Sequence, residues 1–293
     1  MNSIAPESHV VSTMRGYLVG VLILALVGCS EDNSSAEKPQ LAAFNAVPDV
    51  AEITFLREDE VWSDLAYGTS TGFREVDAIE YTVNFETRLP DDDTSVCQGD
   101  IDDDEVKDDD ECTRIGSVSL NLKNETEYVV AILGRFESRR VQVYDKRIHE
   151  FDTEDTDTDG DPEDENMEVQ FFNWLDMTFD VYLEEPGTNL SPVQARATLG
   201  PGDEFHTLVD KGDYVLTLTE VGDPTAAFYT SEDLFLSRQT RVSFAIIESS
   251  LAATSPVKVS MFRDLGGDLL DRRSATELRA AHTSTITGPV DIY

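Results

Sequence analysis

The sequence predicts an all-β protein built of tandem sandwich domains, on three observations. Beyond residue 41, apolar and polar residues alternate at period two, the spacing that lines one face of a strand. Clusters of Gly, Asp and Pro separate these runs, which is the layout of short strands joined by turns in a small sandwich. The whole pattern then begins again, and repetition at a fixed offset marks units that are each one structural module.

The first element is a leader. Arg15, the apolar run Tyr17 to Val27 and the small residue Gly28 precede Cys29, which is the basic start, apolar stretch and small-residue cut of a signal peptide. The run Leu26-Val27-Gly28-Cys29 reads as a bacterial lipoprotein processing site, so residues 1–28 are expected to be removed and Cys29 to be lipidated. The apolar run is shorter than the roughly 20 residues of a membrane-spanning helix, and Glu31 and Asp32 follow it at once. The usual signal layout places the start of translation at Met14. More than one acyl chain, at about 0.8 kcal/mol per buried methylene, gives stable anchoring. Ser30 rather than Asp after the Cys resembles the outer-membrane sorting pattern. The expected address is the bacterial cell envelope, as an outer-membrane lipoprotein on its periplasmic or surface face.

Residues 29–40 are polar after the lipidated Cys and read as a tether. The first repeat, 41–150, shows the alternation at Ile53 and Phe55, at Tyr81, Val83 and Phe85, at Val118, Leu120 and Leu122, and at Val141 and Val143. Tyr128 to Leu133 is continuously apolar, as in a strand with both faces covered. An acidic insert, 87–114, carries Cys97 and Cys112. With Cys29 taken by lipid, these two are expected to pair in an oxidising compartment, closing a loop at a gain of about 3 kcal/mol. Residues 151–166 are an acidic linker, 167–262 the second repeat, 263–276 a second linker and 277–293 the start of a truncated third repeat.

The repeat rests on three matches. Phe44-Asn45, with Ile53 and Phe55 beyond it, recurs 128 residues later as Phe172-Asn173 with Val181 and Leu183. Glu80-Tyr81-Thr82-Val83 matches Asp213-Tyr214-Val215-Leu216. Leu120, Leu122, Thr126, Ala131 and Ile132 match Leu234, Leu236, Thr240, Ala245 and Ile246 without a gap. Val141 and Val143 are set against Val257 and Val259 as the closing strands. Leu278 to His282, followed by Val290-Asp291-Ile292-Tyr293, echoes the second repeat's opening through Phe179-Asp180-Val181-Tyr182.

Phe44-Asn45-Ala46-Val47-Pro48-Asp49, Leu65-Ala66-Tyr67-Gly68, the Asp180-Val181-Tyr182 and Asp291-Ile292-Tyr293 segments and the Asp/Gly-x-Tyr strand openings resemble the repeats of domain of unknown function 4397. The resemblance covers roughly 41–146, 167–262 and 277–293, and the second copy departs from it with Leu175-Asp176 in place of Pro48-Asp49. It implies tandem immunoglobulin-like β-sandwiches in a bacterial secreted protein or lipoprotein. It brings no active site to carry over.

The formal net charge is -37, and removing residues 1–28 deletes one Arg and one Glu, leaving it unchanged. A polyanion of this strength is repelled by phosphate backbones, which argues against nucleic acid as a partner. Solubility accounts for such a charge, and so does cation binding. The sharpest local motif lies in the first linker: Asp155, Asp157 and Asp159 at alternate positions, then Gly160, with Glu163 as the closing ligand. Oxygens so spaced before a glycine turn are how calcium loops are made. The alternative reading is a solvated acidic linker. If Ca2+ binds there, it would stiffen the angle between repeats.

Catalytic constellations are not apparent. After the leader, His149, His206 and His282 stand without His or Cys at ligand spacing, where zinc sites cluster such residues. No Gly-x-Ser-x-Gly turn is present. Trp62 and Trp174 sit among alternating residues and read as core or turn packing rather than sugar platforms. The expected function is a non-enzymatic structural or binding module, held to the membrane by its lipid, with an envelope protein or glycan as partner. Two alternatives stand beside it: accessory repeats of a longer secreted hydrolase, and a calcium-dependent adhesive module.

Overall fold

The computed structural model describes residues 36–88, 112–151, 165–249 and 255–273. Among them every regular element is a strand except one 3-10 turn, Phe136–Ser138, so the all-β sandwich expectation holds. The first eight strands are β1 (Gln40–Ala46), β2 (Glu52–Arg57), β3 (Glu60–Ala66), β4 (Arg74–Glu75), β5 (Glu80–Thr87), β6 (Thr113–Asn121), β7 (Thr126–Leu133) and β8 (Arg140–Arg147). They form one sheet in the order β4-β1-β7-β8 and another in the order β3-β2-β5-β6. Between these sheets lie Ile53, Phe55, Val83, Phe85, Val130 and Ile132, the alternating apolar positions of their strands. All six are fully buried.

Ten further strands follow: β9 (Asn166–Asn173), β10 (Phe179–Glu184), β11 (Ala197–Leu199), β12 (Glu204–Asp210), β13 (Gly212–Thr219), β14 (Ala227–Thr230), β15 (Leu234–Leu236), β16 (Arg241–Glu248), β17 (Val257–Arg263) and β18 (Gly267–Leu269). They make a sheet in the order β12-β9-β16-β17-β18 and a second in the order β11-β10-β13-β14, with β15 also on β13. Phe171, Val181, Leu183, Leu216, Phe244 and Ile246 fill this second core.

Register shows how closely the halves correspond. β1 runs parallel to β7 with Phe44 opposite Ala131, and β9 runs parallel to β16 with Phe172 opposite Ala245. Tyr81 pairs with Leu120, as Tyr214 pairs with Leu234. The closing strands need a correction. Val141 lies opposite Ile132, but Val259, not Val257, lies opposite Ile246, so the correspondence slides by two residues. A slide of two keeps the same face buried, which is why alternation alone could not fix it. Likewise 263–276 is not simply a linker: Gly267–Leu269 adds a fifth strand to the β17 edge, and Leu269 is buried.

The outer face of the β1-β7-β8 sheet is covered as well. On β7, Tyr128, Val130 and Ile132 enter the first core, while Val129, Ala131 and Leu133 enter a third apolar cluster. On β9 and β16 the same division sends Phe172, Ala245 and Ile247 into that third cluster. Two sheets back to back thus make four β layers, and the continuous apolar run Tyr128 to Leu133 is the strand buried on both faces that its composition implied.

Candidate functional site

The site that organises the molecule is the layer between the sandwiches, and it is anchored by one asparagine from each half. Asn45 and Asn173 have no exposed surface. Asn45 donates from Nδ2 to the Leu65 carbonyl at 2.9 Å and accepts from the Val47 amide at 2.9 Å. Asn173 donates to the carbonyls of Met177 and Leu199 at 2.8 and 3.1 Å and accepts from the Leu175 amide at 2.9 Å. The backbone carbonyls of the two residues accept from the Gly68 and Gly202 amides, each at 2.8 Å. Both glycines have positive φ, 73° and 83°, which a side chain would strain. These turns matter because their carbonyls cross the layer: the Gly202 carbonyl accepts from Gln142 Nε2 at 2.9 Å, and the Gly68 carbonyl from Ser260 Oγ at 2.8 Å.

Aromatic rings fill the middle. Phe44 lies 4.6 Å from Trp174 and 5.4 Å from Phe262, and Tyr144 lies 4.9 Å from Phe172. The indole Nε1 of Trp174 donates to the Tyr144 hydroxyl at 2.8 Å, so the ring's polar edge is satisfied inside the layer. Burial is the main cause that pushes the Tyr144 hydroxyl pKa up.

At one end stands a closed ring of alternating charge. Lys146 Nζ lies 2.7 Å from Glu127 and 2.6 Å from Glu168, Arg263 lies 3.3 Å from Glu168, and its other nitrogen pairs with Glu127. The side chains are between 1% and 6% exposed, and each sandwich contributes one carboxylate and one cation. Burial pushes the Glu168 pKa up, but Lys146, then Arg263 and Arg241, outweigh it and hold the carboxyl below its ordinary value. Burial lowers the Arg263 pKa, opposed by Glu127 and Glu168. Regular alternation would send Arg263 to the face opposite Phe262. Instead its φ of 103° accompanies a guanidinium turned back onto the ring and over Phe73 at 5.0 Å. A non-glycine residue there costs on the order of 1–3 kcal/mol, which the ring and its surroundings must offset.

Two clefts open where the layer meets solvent. One, of about 390 Å³, is lined by Tyr67, Arg135, Arg140, Trp174, Glu248 and Val257 among others. Its size lies within the roughly 300–1,000 Å³ of ligand pockets. Arg135 is engaged there by both oxygens of Glu248 at 2.6 and 2.8 Å, and the Tyr67 hydroxyl donates to the Glu248 carbonyl. The second, of about 400 Å³, is lined by Gly68, Thr69, Lys258, Ser260, Arg263 and Asp268, with Lys258 paired to Asp268 at 3.1 Å.

The residues singled out in the sequence fall mostly elsewhere. Cys29, Cys97, Asp155, Asp157, Asp159 and Glu163 lie outside the described residues, as does His282. Cys112 is buried just before β6. His206 is exposed on β12, whereas the His149 carbonyl accepts from Arg241. Trp174 belongs to the layer, and Trp62 packs on Phe55 at 5.2 Å, so both tryptophans are packing residues. Within the described residues the sandwiches are joined by the layer itself. Among the described residues no group of three or more His, Cys, Asp or Glu is placed to hold a metal ion.

The charge ring was not legible beforehand. Glu168 alternates with apolar residues in Met167-Glu168-Val169-Gln170-Phe171, which reads as a solvated face. The usable signal was Glu127, set directly before an apolar run that needs cover on both sides. These features define a tandem β-sandwich protein with a fused, polar-keyed interface. No protein-family model matches the chain, and no curated protein is similar enough to it to indicate kinship.

Proposed function

We propose that this chain is a lipid-anchored protein of the bacterial cell envelope, a non-enzymatic structural or binding module of the kind found in domain of unknown function 4397 repeats. The observation that carries the reading is the layer between the sandwiches, where Phe44, Ala131, Phe172, Trp174 and Ala245 are all buried. Two modules fused through such a layer behave as one stiff block, which suits a spacer or a platform held off a membrane by the stretch that follows Cys29. That tether is shorter than 29–40, because Glu37 and Pro39 already bond to the first sandwich and β1 starts at Gln40. The two clefts beside the layer offer the block's concave surfaces to an envelope protein or a glycan.

The test is metabolic labelling with an alkyne-bearing fatty acid in a Gram-negative host. The wild-type chain is expected to take the label and fractionate with outer membrane, and Cys29→Ser to lose both. Label retained in the variant overturns the anchor. Turnover of ester, peptide or glycoside substrates by the purified protein overturns the non-enzymatic assignment.

A further inference from the structure

The layer between the sandwiches brings equivalent strands together, β1, β7 and β8 against β9, β16 and β17, and its contacts recur with the roles exchanged. Phe44 meets Phe262 while Phe172, at the position of Phe44, meets Tyr144, at the position of Phe262. Gln142 lies opposite Ala131 and Ser260 opposite Ala245. Each donates across the layer to the glycine carbonyl of the other half. A surface that meets its own counterpart in this reciprocal way is isologous, the geometry of a two-fold dimer. Here both partners are parts of one chain.

The equivalent positions that differ are complementary. Trp174 occupies the position of Ala46, and both lie in the layer, a large side chain matched to a small one. Glu127 occupies the position of Arg241, and Gln40 that of Glu168, by the parallel registers of β7 and β16. The charge ring closes only because one half brings Glu127 and Lys146 and the other Glu168 and Arg263. Two copies of the second face would gather two Arg241 and two Arg263 around two Glu168, and would set Trp174 against Phe262 in place of Tyr144, leaving its indole N–H without the hydroxyl it now uses. Two copies of the first would put Ala46 beside Phe44 where Trp174 now lies and leave a void. Mismatch of this kind, set against the wrong pairing, is how interfaces gain specificity.

We infer that the two faces are a heterophilic docking pair: the chain is a strapped, pseudo-two-fold heterodimer in which each sandwich is the specific partner of the other and not of itself. The partner that fits either face, if it is freed, is the complementary sandwich of a second copy of this chain. The inference does not depend on the lipid anchor or on the absence of catalysis.

The experiment places a protease site between residues 157 and 158 of the otherwise intact chain, cleaves the folded protein and weighs its complexes by native mass spectrometry at low micromolar concentration. Expected are halves that stay together as one-to-one complexes of first and second sandwich. Halves that separate on cleavage, or self-pairs as abundant as the mixed pair, overturn it. In the same cleaved background, Lys146→Glu, which sets three carboxylates together, and Glu168→Lys, which sets Lys146 and Arg263 against a third cation, are each expected to loosen the complex at least tenfold. Complexes as tight as the parent's in both variants show that the ring does not specify the pairing.

Discussion

The two sandwiches share an interior and differ at their edges. Asn45 and Asn173, Gly68 and Gly202, and Tyr81 and Tyr214 occupy equivalent positions with equivalent partners. Yet the strand beside β1 is β4, two residues long, whereas the strand beside β9 is the seven-residue β12. β6 runs unbroken for nine residues where the second half divides the same path into β14 and β15. The fold therefore depends on a few buried hydrogen-bonding centres and on alternation in the middle strands. Edge strands and their loops lie at the surface, where length changes disturb little buried structure.

If the shared centre and the layer it supports carry the stability, the largest loss comes from opening the charge ring. Lys146→Met removes one of the two cations that bridge Glu127 and Glu168, and removing one partner of a buried ion pair costs about 3–5 kcal/mol. Urea denaturation is expected to show that loss, and a change under about 1 kcal/mol would mean that water reaches the ring. The next effect is a matched pair. Asn45→Ala and Asn173→Ala each leave a buried amide and carbonyl unpaired, at about 1–3 kcal/mol. Similar losses from both variants would establish the two asparagines as one structural device used twice, and a cost confined to one half would break the comparison.

Much of this was legible in the sequence because alternation and repetition are local signals. Phe44-Asn45 and Phe172-Asn173 announced the opening strands, and the gapless match of Leu120 to Ile132 with Leu234 to Ile246 fixed β7 and β16 against each other. The Tyr128 to Leu133 run also called for cover on both faces. What covers it was hidden, since nothing local in Phe172 or Trp174 says that they face another module. Charge was misleading for the same reason: Glu127, Lys146, Glu168 and Arg263 look like solvated residues until the fold brings four elements to one point. Arg263 is hidden further, because its side chain reaches the ring only through a backbone angle that breaks the strand's alternation. The two-residue slide between β8 and β17 escaped because both registers bury the same face.

The smallest expected effect separates the halves by acidity. Glu168 has its counterpart in Gln40, which cannot titrate, so at this position the second sandwich brings an acid and the first does not. Its folded pKa lies below the ordinary value of 4.5. A carboxyl held lower in the folded state contributes stability that is complete above the unfolded value and is lost as pH falls through the folded one. Stability measured by urea denaturation should thus fall on acidification below about pH 4.5, with a shallower slope in Glu168→Gln, whatever that variant's own starting stability. The difference in slope isolates one group from the chain's 59 acidic residues, whose general repulsion changes in the same way in both proteins. Parallel slopes would mean that Lys146 and Arg263 do not favour the charged form of Glu168. The ring would then serve as a steric key rather than an electrostatic one.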